Sequence, residues 1–320
     1  MSIQCNICAN YCNISEGSFG ICKQHKNVNG ELVDCSYGII SSAAVDPIEK
    51  KPLYHLPGTK TYSIGGIGCN MACLHCQNYI SQGYVDLVDT IKITPSMVVE
   101  NALFNNCKSI AFTYNEPTIH LSFYRDVALL AREKNLKIVF VSNGYFSQES
   151  LSEILNFVDA FNIDLKSISS DFYKKICKVD RDVVLENIKK IYHAGKHLEI
   201  TNLIINNLND SFSDMSQLVN FVSNELDTSI PLHFTRSFPY YKMQDIEPTK
   251  KETLLKAEEI AKKDKIENIY IGNTPLNNNS FCPQCGELLF KRNGFSTQNM
   301  NNIVDGYCKT CHFKLNFVID

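Results

Sequence analysis

The sequence predicts an α/β fold, and three observations carry that prediction. Between about residues 60 and 272, short β-branched or aromatic runs alternate with longer amphipathic ones. Polar residues collect at the C-terminal ends of the short runs, and cysteine-rich segments flank the alternating region on both sides. With 320 residues the chain can bury one large core with small appendages. Three parts are expected: a Cys-rich metal module over 1–36, a barrel-forming domain over 37–275 and a zinc-ribbon-like module over 276–320.

Candidate strands are 61–68, 109–114, 137–142, 160–165, 197–205 and 231–235, with a further short one at 268–271. Helical patterns lie between them near 95–106, 118–134, 148–158, 182–194, 213–226 and 249–263. Thr94 followed by Pro95 marks one helix start, and Thr249 with Glu252 reads as a capping box for the last helix. Six strand–helix units imply a parallel sheet with right-handed crossovers, either an open doubly wound sheet or a barrel. The strand ends decide between them. They carry Cys69, then Asn115 and Glu116, then Ser142 and Asn143, then Asp164 and Lys166, then Thr201 and Asn202, then His233 to Arg236. A barrel delivers polar groups from the end of every strand, whereas an open sheet concentrates them at one switch point. The barrel is therefore expected.

A hydrophobic content of 44% and a charged content of 20% are globular values. The net charge of −3, with basic residues scattered, argues against a nucleic-acid surface. The start, Met1-Ser2-Ile3-Gln4-Cys5, lacks the basic and apolar regions of a signal peptide, and no apolar run is long enough to span a bilayer. A cytoplasmic protein without nucleic-acid or membrane partners is expected. The 14 cysteines fall mainly into short-spaced clusters, which favours metal sites over disulfides. Cys35, Cys107 and Cys177 stand outside the clusters and are expected as inert core thiols.

The most informative cluster is Cys69-x3-Cys73-x2-Cys76, with no further cysteine before Cys107. Cubane iron–sulfur clusters take four thiolates, so three leave one iron open to another ligand. The alternative is a zinc knuckle with a distant fourth ligand. The run Gly65-Gly66-Ile67-Gly68 just before it is expected to let backbone approach the cluster.

This loop resembles the signature of the radical S-adenosylmethionine (SAM) enzymes. Residues 44–55, Cys76-Gln77-Asn78 and Thr113-Tyr114-Asn115-Glu116-Pro117-Thr118 are similar to one branch. That branch contains the pyruvate formate-lyase activating enzyme-like proteins and the AmmeMemoRadiSam system radical SAM enzymes. The resemblance implies a partial (β/α)6 barrel holding a [4Fe-4S] cluster on Cys69, Cys73 and Cys76, with SAM on the open iron. It implies reductive cleavage of SAM to a 5′-deoxyadenosyl radical, which abstracts hydrogen from a protein or small-molecule substrate. A reductant such as ferredoxin or flavodoxin and anaerobic operation go with it.

Individual roles follow from the same resemblance. His75 stands where an aromatic residue commonly meets the cofactor. Asn115-Glu116-Pro117 occupies the place of a Gly-Gly-Glu stretch, without its glycines, so that Glu116 would receive the amino group of SAM or act as a helix-terminal acid. Ser142 and Asn143 would bind the ribose and carboxylate, although Ser-Asn-Gly is also an ordinary turn. Asp164-Leu165-Lys166 matches an Asp-x-Lys pattern whose charges share one sheet face, expected as the catalytic pair near SAM or substrate. Thr201 would flank the adenine. His233 and Arg236 would reach SAM or the substrate.

At one end, Cys5-x2-Cys8-x3-Cys12-x9-Cys22 offers four thiolates in a segment too small for its own core. Zinc and a second iron–sulfur cluster both suit it, with His25 or Cys35 as substitute ligands. At the other, Cys282-x2-Cys285 pairs with Cys308-x2-Cys311 as a zinc ribbon, with rubredoxin-like iron as the alternative. The expected function is a radical SAM oxidoreductase of the activating-enzyme kind. Two departures separate it from that type. There is no ferredoxin-like insert between Cys76 and Cys107, and short activating enzymes lack the terminal modules. The alternatives are a SAM-derived group transferase on the same scaffold and a non-enzymatic electron-transfer or zinc-ribbon interaction protein. The missing fourth cysteine speaks against the last.

Overall fold

The computed structural model describes residues 1–51, 54–81, 83 and 89–319. Pro52 and Leu53 of the 44–55 segment lie outside the described residues.

Eight strands form the main sheet: β1 (Ser42–Pro47), β2 (Lys60–Gly65), β3 (Ser109–Phe112), β4 (Lys137–Ser142), β5 (Ala160–Asp164), β6 (His197–Ile204), β7 (Leu232–Arg236) and β8 (Ile269–Gly272). Their spatial order is their chain order. From β2 to β8 every pairing is parallel, and β1 lies antiparallel on β2. Such an order has no switch point, so the sheet curls as an incomplete barrel. Six helices connect the strands: α1 (Pro95–Phe104), α2 (Leu121–Glu133), α3 (Gln148–Phe157), α4 (Arg181–His193), α5 (Phe212–Glu225) and α6 (Lys251–Lys263).

Period-two alternation sorts the strands into two faces. In β6, Leu198, Ile200 and Ile204 join the core beneath the helices, while Thr201 lines an interior cavity. Helix α2 buries Phe123, Tyr124, Val127, Ala128 and Ala131, one stripe at helical spacing. Each fully buried large side chain contributes roughly 1.5–3 kcal/mol. Small residues fill the inner face, where Ile48 packs on Ala111, Val139 and Ala160.

Helix α1 begins as expected, with Thr94 accepting from the Met97 N–H and Pro95 in the first turn. The capping box expected for the last helix does not form. The Thr249 hydroxyl instead donates to the Ile204 carbonyl and accepts from the Ser237 N–H, leaving Lys250 as a cap without a side-chain bond. That hydroxyl ties the end of β6 to the segment after β7.

The edges β1 and β8 do not pair with each other, and the C-terminal segment sits at this seam. Tyr54 stacks on Phe317 at 3.8 Å between ring centroids, and Tyr270 of β8 bonds Ser280 at 2.6 Å. His55 bridges to Val318 beside them. Within the segment, Ser280–Phe281, Leu288–Asn293 and Ser296–Asn299 form a three-stranded antiparallel sheet.

Candidate functional site

The 69–76 loop is held from below by a chain of specific bonds. The Ile67 N–H donates to His120 Nε2 at 3.0 Å, which leaves His120 Nδ1 to donate to Ser36 Oγ at 3.0 Å. A Cβ at residue 66 would overlap the His120 ring, and Gly68, at φ +76°, abuts the Cys22 carbonyl. Gly66 and Gly68 therefore make room for neighbouring protein groups. After Cys69, the Asn70 side chain donates to the Tyr145 carbonyl at 3.0 Å and accepts from Asn143 Nδ2 at 2.7 Å.

Cys69, Cys73 and Cys76 line one cavity of about 230 Å³ at the C-terminal ends of the strands. His75, Asn115, Glu116, Asn143, Asp164, Lys166 and Thr201 line it as well. Those positions were expected from sequence. Cys177, expected as an inert core thiol, is fully buried but lies against Cys73, in a π-helical turn over Tyr173–Cys177. It stays behind the loop and does not reach the cavity. Among the described residues the cavity therefore meets three thiols and no fourth.

The donor set suits an iron–sulfur cluster. Burial, then the nearby Glu116 and Cys73, push the Cys69 thiol well above its ordinary pKa. Thiols so placed stay protonated until a metal takes the proton's place. The Met71 N–H at 3.4 Å and Asn143 Nδ2 at 3.6 Å already point at the Cys69 sulfur. On the same wall, His75 Nδ1 is buried without a hydrogen-bond partner, and burial lowers the ring's pKa to about 3.

Glu116 is buried and caps the short 3-10 turn Pro117–His120, as the helix-terminal alternative expected. Its carboxylate accepts from the Thr118 N–H at 3.0 Å, Ser142 Oγ at 2.8 Å and the Asn143 N–H at 2.9 Å. Burial raises its pKa while these donors pull it back. Ser142 thus acts through Glu116 and does not line the cavity, whereas Asn143 does.

Lys166 Nζ lies 3.1 Å from Asp164 Oδ2. Burial opposes the Lys166 charge, but Asp164 and the thiol sites of Cys73 and Cys177 outweigh it and raise its pKa well above the usual value. Asp164, Thr201, Thr235 and Asn273 also line a second, larger cavity of about 650 Å³. Lys50, Lys51, His233, Tyr270, Arg292 and Phe295 are among its other walls. Burial lowers Lys51 to about 8 against the pull of Asp46. Arg236 turns away from both cavities, its Nε donating to the Thr249 carbonyl at 2.8 Å.

His233 faces only the second cavity. It is held by Glu199, a residue that sequence reasoning missed. The Glu199 carboxylate is fully buried and takes His233 Nε2 at 2.5 Å, His197 Nε2 at 2.9 Å and the Tyr54 N–H at 2.9 Å. Burial alone would raise its carboxyl, yet the bonds from His197 and His233 hold it down at about 2. The signal was present: a carboxylate in mid-strand, two residues from Thr201 and so on the same face. Tyr114 was also missed. It lines the first cavity at φ +70°, uncommon for a bulky side chain, and donates to Asp46 Oδ2 at 2.7 Å.

The two terminal cysteine groups differ. Among the described residues, Cys282, Cys285, Cys308 and Cys311 are the set whose ligand atoms lie within 4.8 Å of one another, and they could hold one metal ion. Two of the sulfur pairs stand 3.6 and 3.7 Å apart. Cys5, Cys8 and Cys22 are buried and Cys12 half-buried, with His25 Nδ1 3.6 Å from the Cys22 sulfur. Cys35 points instead to the Val33 carbonyl.

A model of the radical SAM superfamily matches residues 63–222. The uncharacterized protein MJ0808 of Methanocaldococcus jannaschii is 42% identical over 322 residues, covering 99% of this chain and 96% of that one. The pyruvate formate-lyase-activating enzyme of Clostridium pasteurianum is 24% identical over 231 residues, 68% of this chain and 96% of that one. Among solved structures, a radical SAM methyltransferase from Sphaerobacter thermophilus superposes with a TM-score of 0.53 at 13% identity, covering 67% of this chain and 66% of that chain.

Proposed function

The chain belongs to the radical SAM superfamily, and on that premise we propose that it is a radical SAM oxidoreductase acting on a protein or small-molecule substrate held in the second cavity. One observation carries this reading. The only three thiols on the first cavity's wall, among the described residues, are those of the 69–76 loop, and that cavity adjoins a larger one. When bound, a [4Fe-4S] cluster and SAM supply an electron and a 5′-deoxyadenosyl radical that removes hydrogen from the substrate.

The chain's own residues bind, orient and exclude water. Cys69, Cys73 and Cys76 hold the cluster, with the Met71 N–H and Asn143 amide aimed at the Cys69 sulfur. Asn115, Glu116 and Asn143 receive the amino-acid end of SAM, with Ser142 Oγ and the Asn143 N–H both fixing the Glu116 carboxylate. Thr201 flanks the nucleoside, and the His75 ring packs beside the cofactor. Lys166, kept charged by Asp164, faces the first cavity as a cation for a carboxylate. Asp164 lines both cavities and is placed to touch substrate as well. His233, expected on the cofactor or the substrate, belongs on the substrate side because it faces only the second cavity. The C-terminal four cysteines hold zinc as a structural ion. A tetrahedral site with Zn–S of about 2.3 Å has sulfur–sulfur edges of about 3.8 Å, close to the 3.6 and 3.7 Å observed.

Anoxic incubation with reductant, SAM and deuterated candidate substrates tests the proposal. The expected result is 5′-deoxyadenosine carrying deuterium from one of them. Cys73→Ala should abolish its formation while the C-terminal metal is retained. Undiminished cleavage by that variant would refute the assignment. A nucleoside fragment other than 5′-deoxyadenosine would make the enzyme a transferase.

A further inference from the structure

We propose that Cys5, Cys8, Cys12 and Cys22 hold a second iron–sulfur cluster, which relays single electrons from a low-potential protein donor to the cluster on the 69–76 loop. The destination of the electron rests on the function proposed above; the existence of the second cluster does not.

Sulfur spacing separates this group from the C-terminal one. Around a single ion, four sulfurs crowd to within about 3.8 Å of one another, as at the C-terminus. Among the described residues the N-terminal four form no such close group, and thiolates of a cluster, each bound to its own iron, need not. The site is also enclosed. Cys5, Cys8 and Cys22 are each less than 8% exposed, and Gly20 leaves room beside Ile14 and the Cys12 sulfur. Cys12 is the least buried and marks the side open to a donor.

The position of the group carries the relay. The segment docks on the loop after β4, with the Ala9 N–H on the Tyr145 carbonyl, Cys8 bridged to Phe146 and Ser147 Oγ on the Asn6 carbonyl at 2.6 Å. The same loop presents Asn143 to the Cys69 sulfur. Two contacts join the cysteine groups: Gly68, beside Cys69, abuts the Cys22 carbonyl, and the Asn10 side chain spans from Cys8 to Asn70. Asn10 Nδ2 lies 3.7 Å from the Cys8 sulfur and 2.7 Å from the Asn70 carbonyl, one residue after Cys69. A structural ion needs no such connection, and among the described residues no hydrogen bond joins the C-terminal cysteines to the 69–76 loop. The transfer balances without protons. The donor loses one electron, the second cluster gains it, and the second cluster is reoxidised as the 69–76 cluster is reduced.

Iron analysis and electron paramagnetic resonance of the anoxically reconstituted chain test the site. Roughly eight irons per chain are expected, and roughly four in Cys69→Ala/Cys73→Ala/Cys76→Ala, whose remaining signal should not respond to SAM. Zinc in place of that iron, or no iron in the triple variant, overturns the proposal. The relay is tested in Asn10→Ala, which keeps all four thiols. Reduction of the 69–76 cluster by a reduced ferredoxin, followed by its paramagnetic signal, should slow about tenfold, whereas reduction by dithionite should be unchanged. Equal rates with ferredoxin overturn the relay. Because the signal is read without SAM cleavage, failure of the proposed reaction leaves these outcomes distinct. Should Asn10→Ala lose iron, Cys12→Ser, which breaks the second cluster, repeats the comparison without added thiol, and a rate with ferredoxin that matches wild type again counts against the relay.

Discussion

The two terminal cysteine groups carry the same four thiolates, yet they are attached to the barrel by opposite physics. The C-terminal segment is fixed mainly by apolar contact: Tyr54 stacks on Phe317, and Leu289, Phe290 and Leu315 bury around it. The N-terminal segment is fixed mainly by polar contact, through Ser147, Ser150 and Asn10 to backbone carbonyls. One group closes a seam of the sheet, and the other leans on the reactive loop. Ligand count alone does not tell a staple from a conduit; the surroundings do.

The sharpest way to break this contrast is Cys308→Ser. Structural zinc binds with on the order of 10 kcal/mol in isolated fingers, so this variant should lose its ion and the fold of residues 276–319, read by metal content and limited proteolysis. Iron on the other cysteines should remain. Retained protease resistance would show that the ion is dispensable.

Glu199→Ala comes next. It strands His197, His233 and the Tyr54 N–H in the barrel interior, and breaking a buried pair in this way costs about 4 kcal/mol. Glu199→Gln adds a pH signature. A carboxyl held near 2, against an ordinary 4.5, stabilises the fold fully above pH 4.5 and loses that contribution as pH falls toward 2. The stability gap between wild type and Glu199→Gln, measured by denaturant titration, should therefore narrow over that window. A gap independent of pH would mean that the carboxylate charge is not what His197 and His233 stabilise.

Phe317→Ala removes the stacked ring and should cost about 3 kcal/mol, lowering the midpoint of thermal unfolding without releasing metal. The smallest effect is expected from Ser147→Ala. Ser147 caps α3 and holds the Asn6 carbonyl, and its loss should cost about 1 kcal/mol while raising proteolysis within the first residues of the chain. A Phe317 effect no larger than that of Ser147 would erase the apolar-versus-polar distinction.

Much of this architecture was legible before any coordinates. Six strand–helix units, the polar strand ends and the 69–76 loop could be read from local pattern. What escaped was set by contacts between distant residues. Strand β1, Ser42–Pro47, shows no clean alternation of residue type in its sequence and forms because β2 offers an edge. The Glu199 cluster joins residues from three separate segments, and only its mid-strand charge hinted at it. Cys177 meets Cys73 across roughly a hundred residues, which no spacing rule reaches. Thr249 misled because a hydroxyl that suits a helix cap suits a strand carbonyl equally well.

One doorway has a thermodynamic consequence. The Asp164 carboxylate borders both cavities while holding the Lys166 ammonium in the first. A guest that claims that carboxylate from the larger side loosens its grip on the ammonium, and so alters the welcome given to an anion on the smaller side. Occupancy of the two sides is thereby coupled, and the coupling is reciprocal: whatever factor one guest imposes on the other's affinity is returned to it in full.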